Sequence, residues 1–248
     1  MNEGHSAFSV LERCRELVSS GLGFQEARAA VTANTLFTVH TPIAAGNDAF
    51  AFDLIDEAFS GYWGSLGLRV DEFHALGRFD QGWGPTFSMP ALAIRFSSGR
   101  NGVAELHGDT SRRIWSALWP EVPVEEVPIG HVTNGVHVPT WVAPEMLALA
   151  DEVLPADWRS RVDDPDMWQA MREVDPERFW QVRRALKARS VRFLRRRLQN
   201  QLARHEASAS QLHDSSTLFD PDALTIGFAR RFATYKRATL IFSDLDRL

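Results

Sequence analysis

The chain has 248 residues, 44% hydrophobic and 24% charged, which is too much apolar material for a disordered segment and enough to bury one large domain or two small ones. A net charge of −5 argues against a dedicated nucleic-acid binder. The single cysteine, Cys14, excludes an intramolecular disulfide and a thiolate metal site and fits a cytoplasmic protein. No run of about 18 apolar residues predicts a membrane span, and the start, Met1-Asn2-Glu3-Gly4-His5, lacks the basic and apolar regions of a signal peptide.

In chain order, Ser6 can cap a helix with Phe8, Val10, Leu11, Cys14, Leu17 and Val18 on one side, ending near Gly21. A second helix is predicted over 23–35. The β-branched run 36–39 reads as a strand that delivers His40-Thr41-Pro42 to a loop. Asn47 or Asp48 caps a third helix over 49–59. Residues 60–88, Gly-rich with scattered aromatics, read as irregular surface loop. Helices follow over 89–96 and 103–115, with a turn at 98–102 between them. Residues 129–137 read as a buried strand running into a turn, 144–153 as a helix and 175–205 as a long helix. A polar connector, 206–220, precedes a strand at 224–228, a basic turn at 230–237 and an apolar-periodic helix at 238–248.

The basic turn holds Arg230, Arg231, Lys236 and Arg237 at the start of that last helix. Like charges at the positive end of a helix dipole destabilise each other. An anion, most simply a phosphate, resolves the conflict. The long helix carries ten cations and no acid from Arg178 to Arg204. Its aromatics are spaced like core residues, so a solvated or acid-facing helix is favoured over nucleic-acid contact.

His40, at a strand end before Pro42, is as readily structural as ligand-binding. Glu3 and His5, just before a helix, suit a cap or a polar pocket wall equally. Asn101-Gly102 and Asn134-Gly135 are ordinary turn signals on their own. The His131-x5-His137 spacing does not suit zinc. No catalytic carboxylate pair, G-x-S-x-G, Walker loop or G-x-G-x-x-G is present.

Five segments in one order change the weight of these signals. They are Asn2-Glu3-Gly4-His5-Ser6-Ala7-Phe8; His40-Thr41-Pro42 with Ala45-Gly46-Asn47-Asp48; 101–108, Asn-Gly-Val-Ala-Glu-Leu-His-Gly; Thr133-Asn134-Gly135-Val136-His137; and 230–237, Arg-Arg-Phe-Ala-Thr-Tyr-Lys-Arg. This series resembles the α-glucan (glycogen/maltodextrin) phosphorylases, especially their shorter bacterial branch, over essentially the whole chain. Asn47 departs from the histidine expected there.

The resemblance implies an α/β fragment of a two-domain, GT-B-like enzyme with twin Rossmann-like domains, mostly helical in the part present. Residues 1–205 would be the C-terminal portion of the first domain, 206–220 a connector, and 221–248 the first βα unit of the cofactor-binding domain. The implied activity is phosphorolysis of terminal α-1,4-glucosidic bonds to glucose 1-phosphate, with α-1,4-glucan and inorganic phosphate as partners and pyridoxal 5'-phosphate as cofactor.

His40 looks like the family's active-site histidine and Asn101 like the asparagine that hydrogen-bonds the same sugar. Glu3 and His5 fall where the sugar pocket is lined. Arg231 and Lys236 look like the pair that holds substrate and cofactor phosphates, and Arg230 falls where many relatives place a lysine against the cofactor. The family's Schiff-base lysine motif has no counterpart here, so the chain reads as an internal fragment, inactive alone. A nucleotide-sugar glycosyltransferase of the same architecture and a non-catalytic glucan-binding remnant stay open as alternatives.

Overall fold

A computed structural model describes residues 1–231 and 234–248. It divides into two compact units, Met1–Gly135 and Val136–Leu248. The fold is mixed α/β with a parallel sheet. Among the described residues no helix is long and apolar enough to cross a membrane.

In the first unit a 3₁₀ turn, Gly4–Ser6, leads into α1 (Phe8–Ser19) and α2 (Phe24–Ala33). The Ser6 hydroxyl donates to Glu3 O at 2.9 Å instead of capping α1. Strand β1 (Leu36–Val39) follows, then β2 (Ala49–Phe50), α3 (Phe52–Ala58), α4 (Tyr62–Ser65) and α5 (Val70–Gly77). Next come β3 (Arg78–Asp80), β4 (Pro85–Ser88), α6 (Met89–Arg95), β5 (Gly99–Gly102), α7 (Glu105–Trp115) and β6 (Gly130–His131).

Two three-stranded sheets result. One is parallel, ordered β1-β5-β6, and the other antiparallel, ordered β2-β4-β3. Asn2 adds a parallel bridge to Thr38 at the outer side of β1. The core gathers α1 and α2 residues Val10, Leu11, Cys14, Ala27 and Val31 with Phe37, Phe73, Phe87, Leu92 and Trp115.

Several expectations are corrected here. Residues 60–88 are not irregular: they supply two helices and a hairpin, because Phe59, Tyr62, Phe73 and Phe87 stack into the core. The glycines there serve as punctuation, with Gly61, Gly67, Gly82 and Gly84 at positive φ. The third helix starts at Phe52, after a two-residue strand. The predicted turn at 98–102 is β5, the central strand of the parallel sheet. Only Gly130 and His131 of the 129–137 segment pair in a sheet.

The second unit contains α8 (Val138–Trp141), α9 (Pro144–Val153), α10 (Gln169–Arg172), α11 (Pro176–Arg204) and α12 (Ala209–Thr217). Asp175 caps α11 by accepting from Arg178 N at 2.9 Å, with Pro176 at its first position. Arginines of α11 reach Glu145, Glu152 and Asp222, which is the acid-facing arrangement anticipated for it. A smaller core surrounds Ala150, Leu154, Trp158 and Met167.

The connector 206–220 contains α12, started by a Ser208–Gln211 capping box. The strand at 224–228 and the helix at 238–248 do not form: the first is irregular, and the second holds only the 3₁₀ turn Leu240–Phe242. Leu224, Ile226 and Phe228 stand exposed. A parallel strand needs a hydrogen-bonded neighbour and cover on both faces, and among the described residues no strand pairs with these. Phe232 and Ala233 of the basic turn lie outside the described residues.

Cys14 faces the core on α1, and burial pushes its thiol up to about 11. An unfolded thiol ionises near about 8.5. The stability linked to this group is therefore complete below that pH and is lost as pH rises through 11. Modification by a thiol reagent at pH 8 should be at least ~100-fold slower in the native chain than in denaturant. Rapid labelling of the native chain would contradict this burial.

Candidate functional site

Parallel sheets place ligands outside the carboxyl ends of their strands. Here that edge collects residues from four segments. Met1–Glu3 runs beside β1, with Thr38 N donating to Met1 O and Glu3 N to Thr38 O, both at 2.9 Å. His40 directly follows β1, Asn101 lies in β5 opposite Thr38, and the chain after β6 folds back over the end of β5. That last contact is made by Val132 N to Gly102 O and Asn134 N to Val103 O, each 3.0 Å.

Glu3 is the organising residue. Its φ of 65° is unusual for a side chain larger than glycine's. In that conformation its Oε1 accepts from Thr41 N at 2.6 Å, from Thr41 Oγ1 at 3.2 Å and from His40 N. Oε2 takes Gly4 N at 3.3 Å. One carboxylate thus ties the N-terminal segment to the loop that carries His40. Charge-assisted bonds of this kind contribute more than neutral ones. Glu3→Ala should cost about 1–3 kcal/mol, read as a lowered denaturation midpoint. An unchanged midpoint would show that water replaces the carboxylate.

The His40 ring is exposed, and its Nε2 pairs with Asn2 Oδ1. That acceptor is met by a proton on Nε2, and Nδ1 makes no hydrogen bond among the described residues. Asn101 is placed close by, but its amide is committed within the sheet. Oδ1 accepts from Thr38 Oγ1 at 3.1 Å and Nδ2 donates to Gly102 O at 3.1 Å. The geometry gives Asn101 the immediate task of locking β5 to β1. His5, in the 3₁₀ turn, is exposed.

In sequence, Asn134 is a turn signal and a member of the ordered motif series, with no site role assigned to it. Its backbone is docked at the carboxyl end of β5, and its exposed side chain makes no hydrogen bond among the described residues. It therefore offers the edge a free amide. The only sequence sign of this was its place in the ordered motif series. Gly102 permits the whole arrangement: a Cβ there would stand 2.8 Å from Gly108 N, so α7 can approach β5 only over a glycine.

Arg230, Arg231 and Lys236 belong to the other unit. Both arginines are exposed on irregular chain, and Lys236 Nζ lies 4.7 Å from the ring centroid of Tyr235. No group of three or more His, Cys, Asp or Glu suited to a metal ion occurs among the described residues.

No protein-family model matches the chain. Curated relatives do. A glycogen phosphorylase of Mycobacterium tuberculosis is 41% identical across the whole chain and 29% of its own length. A maltodextrin phosphorylase of Thermococcus litoralis is 37% identical, again across the whole chain and 28% of its own length. This chain is a phosphorylase homologue from end to end. A glycogen phosphorylase of Aquifex aeolicus extends the series at 31% identity. The chain spans about three-tenths of the length of these phosphorylases.

The phosphorylase resemblance implies pyridoxal phosphate bound to a lysine amine. The sequence has two lysines, Lys187 and Lys236. Lys187 Nζ donates to Ala223 O, and Lys236 lies against its neighbour's ring. Both amines are thus engaged by their own surroundings rather than presented together with the other candidate residues, so the described residues do not fit that group.

Proposed function

We propose that this chain is the glucan-facing part of an α-glucan phosphorylase, which transfers a terminal α-1,4-linked glucosyl unit to inorganic phosphate. The observation that carries the reading is the gathering of Glu3, His40 and Asn134 at the carboxyl edge of the parallel sheet, held by Asn101.

In this reading His40 and Asn134 contact the terminal sugar, Glu3 fixes the His40 loop, and His5 lines the pocket mouth. Asn101, the sugar contact implied by the resemblance, acts through the sheet. In the other unit, Arg231 and Lys236 are assigned to phosphate, with Arg230 as a further cation. Cleaving a glycosidic bond builds positive charge at the anomeric carbon. A phosphate held by cations offsets that charge: the bond from the anomeric carbon to the glucan 4-oxygen breaks, the departing oxygen takes a proton from the phosphate, and a phosphate oxygen forms the new bond. The chain's own residues supply binding and positioning. The domain assignment, 1–205 with a connector and the start of a cofactor-binding domain at 221–248, belongs to the same proposal, as does a cytoplasmic location.

The product of the whole reading frame that contains these 248 residues should release glucose 1-phosphate from maltoheptaose only when phosphate is present. Lys236→Ala in that product should lower turnover by about 10²-fold or more with little change in glucan binding. Consumption of UDP- or ADP-glucose without phosphorolysis would favour the glycosyltransferase reading. Glucan binding with neither activity would favour a binding remnant.

A further inference from the structure

The cleft between α2, α5 and α6 is lined by Phe24, Gln25, Arg28, Leu68, Leu76 and Arg95 together with Glu72 and Ala75, and has a volume of about 320 Å³. It uses none of the residues of the glucan site. Two arginines enter it from different helices. Arg95 is oriented by neutral acceptors: Nη1 donates to Leu76 O at 2.9 Å and Ala75 O at 3.3 Å, and Nη2 to Arg78 O at 2.9 Å. These bonds cap the last turn of α5 but leave the guanidinium charge unbalanced. Arg28 lies with its guanidinium carbon 5.1 Å from the Phe96 ring centroid. Among the described residues neither arginine has a carboxylate partner.

The one acid in the lining is engaged elsewhere. Glu72 Oε2 accepts from Arg69 N at 2.8 Å, and Oε1 sits 3.5 Å from the Arg69 guanidinium. Burial, and then the Arg28 charge, depress the Arg95 pKa, and both side chains line the same cleft. Gln25 adds an amide donor, while Phe24, Leu68 and Leu76 are the large apolar part of the lining. Unbalanced guanidiniums that converge beside an apolar surface match an oxyanion that carries a hydrophobic or ring-shaped body.

We propose that this cleft binds a small phosphomonoester, its phosphate bridging Arg28 and Arg95 and its organic group resting on Phe24, Leu68 and Leu76. Phenyl phosphate is a direct probe, with inorganic phosphate for comparison, titrated calorimetrically into the 248-residue chain. Saturable binding of phenyl phosphate, tighter than phosphate and weakened about tenfold or more in Arg28→Gln, is expected. Arg28 is partly exposed, and its replacement leaves the α5 cap made by Arg95 intact. Amide resonances of Gln25, Ala75 and Leu76 should shift on titration of the unsubstituted chain, a readout that needs no variant. Absence of saturable binding, equal affinity in Arg28→Gln, or shifts confined to the 230–237 segment would overturn the proposal.

Discussion

Replacing Gly102 with alanine should lower stability by about 3 kcal/mol, near the upper end of what overpacking usually costs. The new Cβ would lie 2.8 Å from Gly108 N, 2.8 Å from His107 Nδ1 and 2.9 Å from His107 C. Two of these are backbone atoms of α7, which no rotamer change can move aside. The strand and helix must separate, and two bonds at the candidate site go with them. One is Val103 N to His107 Nδ1 at 3.2 Å, and the other is Asn134 N to Val103 O.

A loss of that size should move the thermal midpoint down by roughly 10 °C, followed by circular dichroism. Gly135→Ala is the internal comparison. Its Cβ meets nothing within 4 Å, so a change within about 0.5 kcal/mol is expected. Equal midpoints for the two variants would remove the claim that α7 is seated on Gly102.

The same glycine explains what could and could not be read in advance. Strand β5, Gly99-Arg100-Asn101-Gly102, contains no β-branched or apolar residue, so neither pattern nor propensity marks it. It exists because its glycines let neighbours close in: a Cβ at Gly99 would meet Leu36 Cδ2 at 2.6 Å. Tertiary fit decides such a strand. By contrast, the Val10, Leu11 and Cys14 stripe of α1 and the Asp175-Pro176 start of α11 are local signals. Both helices fell where expected.

The hairpin β3–β4 was hidden by reading Gly82 and Gly84 as loop filler. They form a tight turn closed on Asp80, whose Oδ1 accepts from Gly82 N at 2.7 Å and Gly84 N at 3.0 Å. The last 25 residues show the reverse failure. Leu224, Ile226 and Phe228 alternate as a strand should, yet no sheet forms to receive them.

At the candidate site, the ordered motifs picked out Glu3, His40 and Asn101 but not the division of labour among them. Glu3 could have been a cap or a pocket wall. Its positive φ and the backbone N–H groups it collects make it a clamp. That assignment depends on a contact spanning more than 35 positions, which no local pattern encodes. Asn101 and Asn134 both precede glycine and look alike in sequence. The sheet consumes the amide of one and leaves the other free.

The second large effect expected concerns His40. Its ring is exposed at the sheet's carboxyl edge, and its one side-chain partner is Asn2. Truncation therefore removes little packing, and stability should change by no more than about 1 kcal/mol. If the ring positions the terminal glucosyl unit, turnover should fall far more, by about 10²-fold, because misplacing a reacting centre is costly even where binding survives. A large kinetic loss with an unchanged thermal midpoint separates this role from a structural one. Glu3→Ala, in comparison, should lower both together, because it releases the loop as well as the histidine.

The decisive measurement is glucose 1-phosphate release from maltoheptaose by the product of the whole reading frame, unsubstituted and as His40→Ala. Phosphate-dependent release that falls about 10²-fold in the variant, with matching thermal midpoints, is the predicted result. Release by the variant within about threefold of the parent, a difference of well under 1 kcal/mol, would contradict a glucan site at this sheet edge.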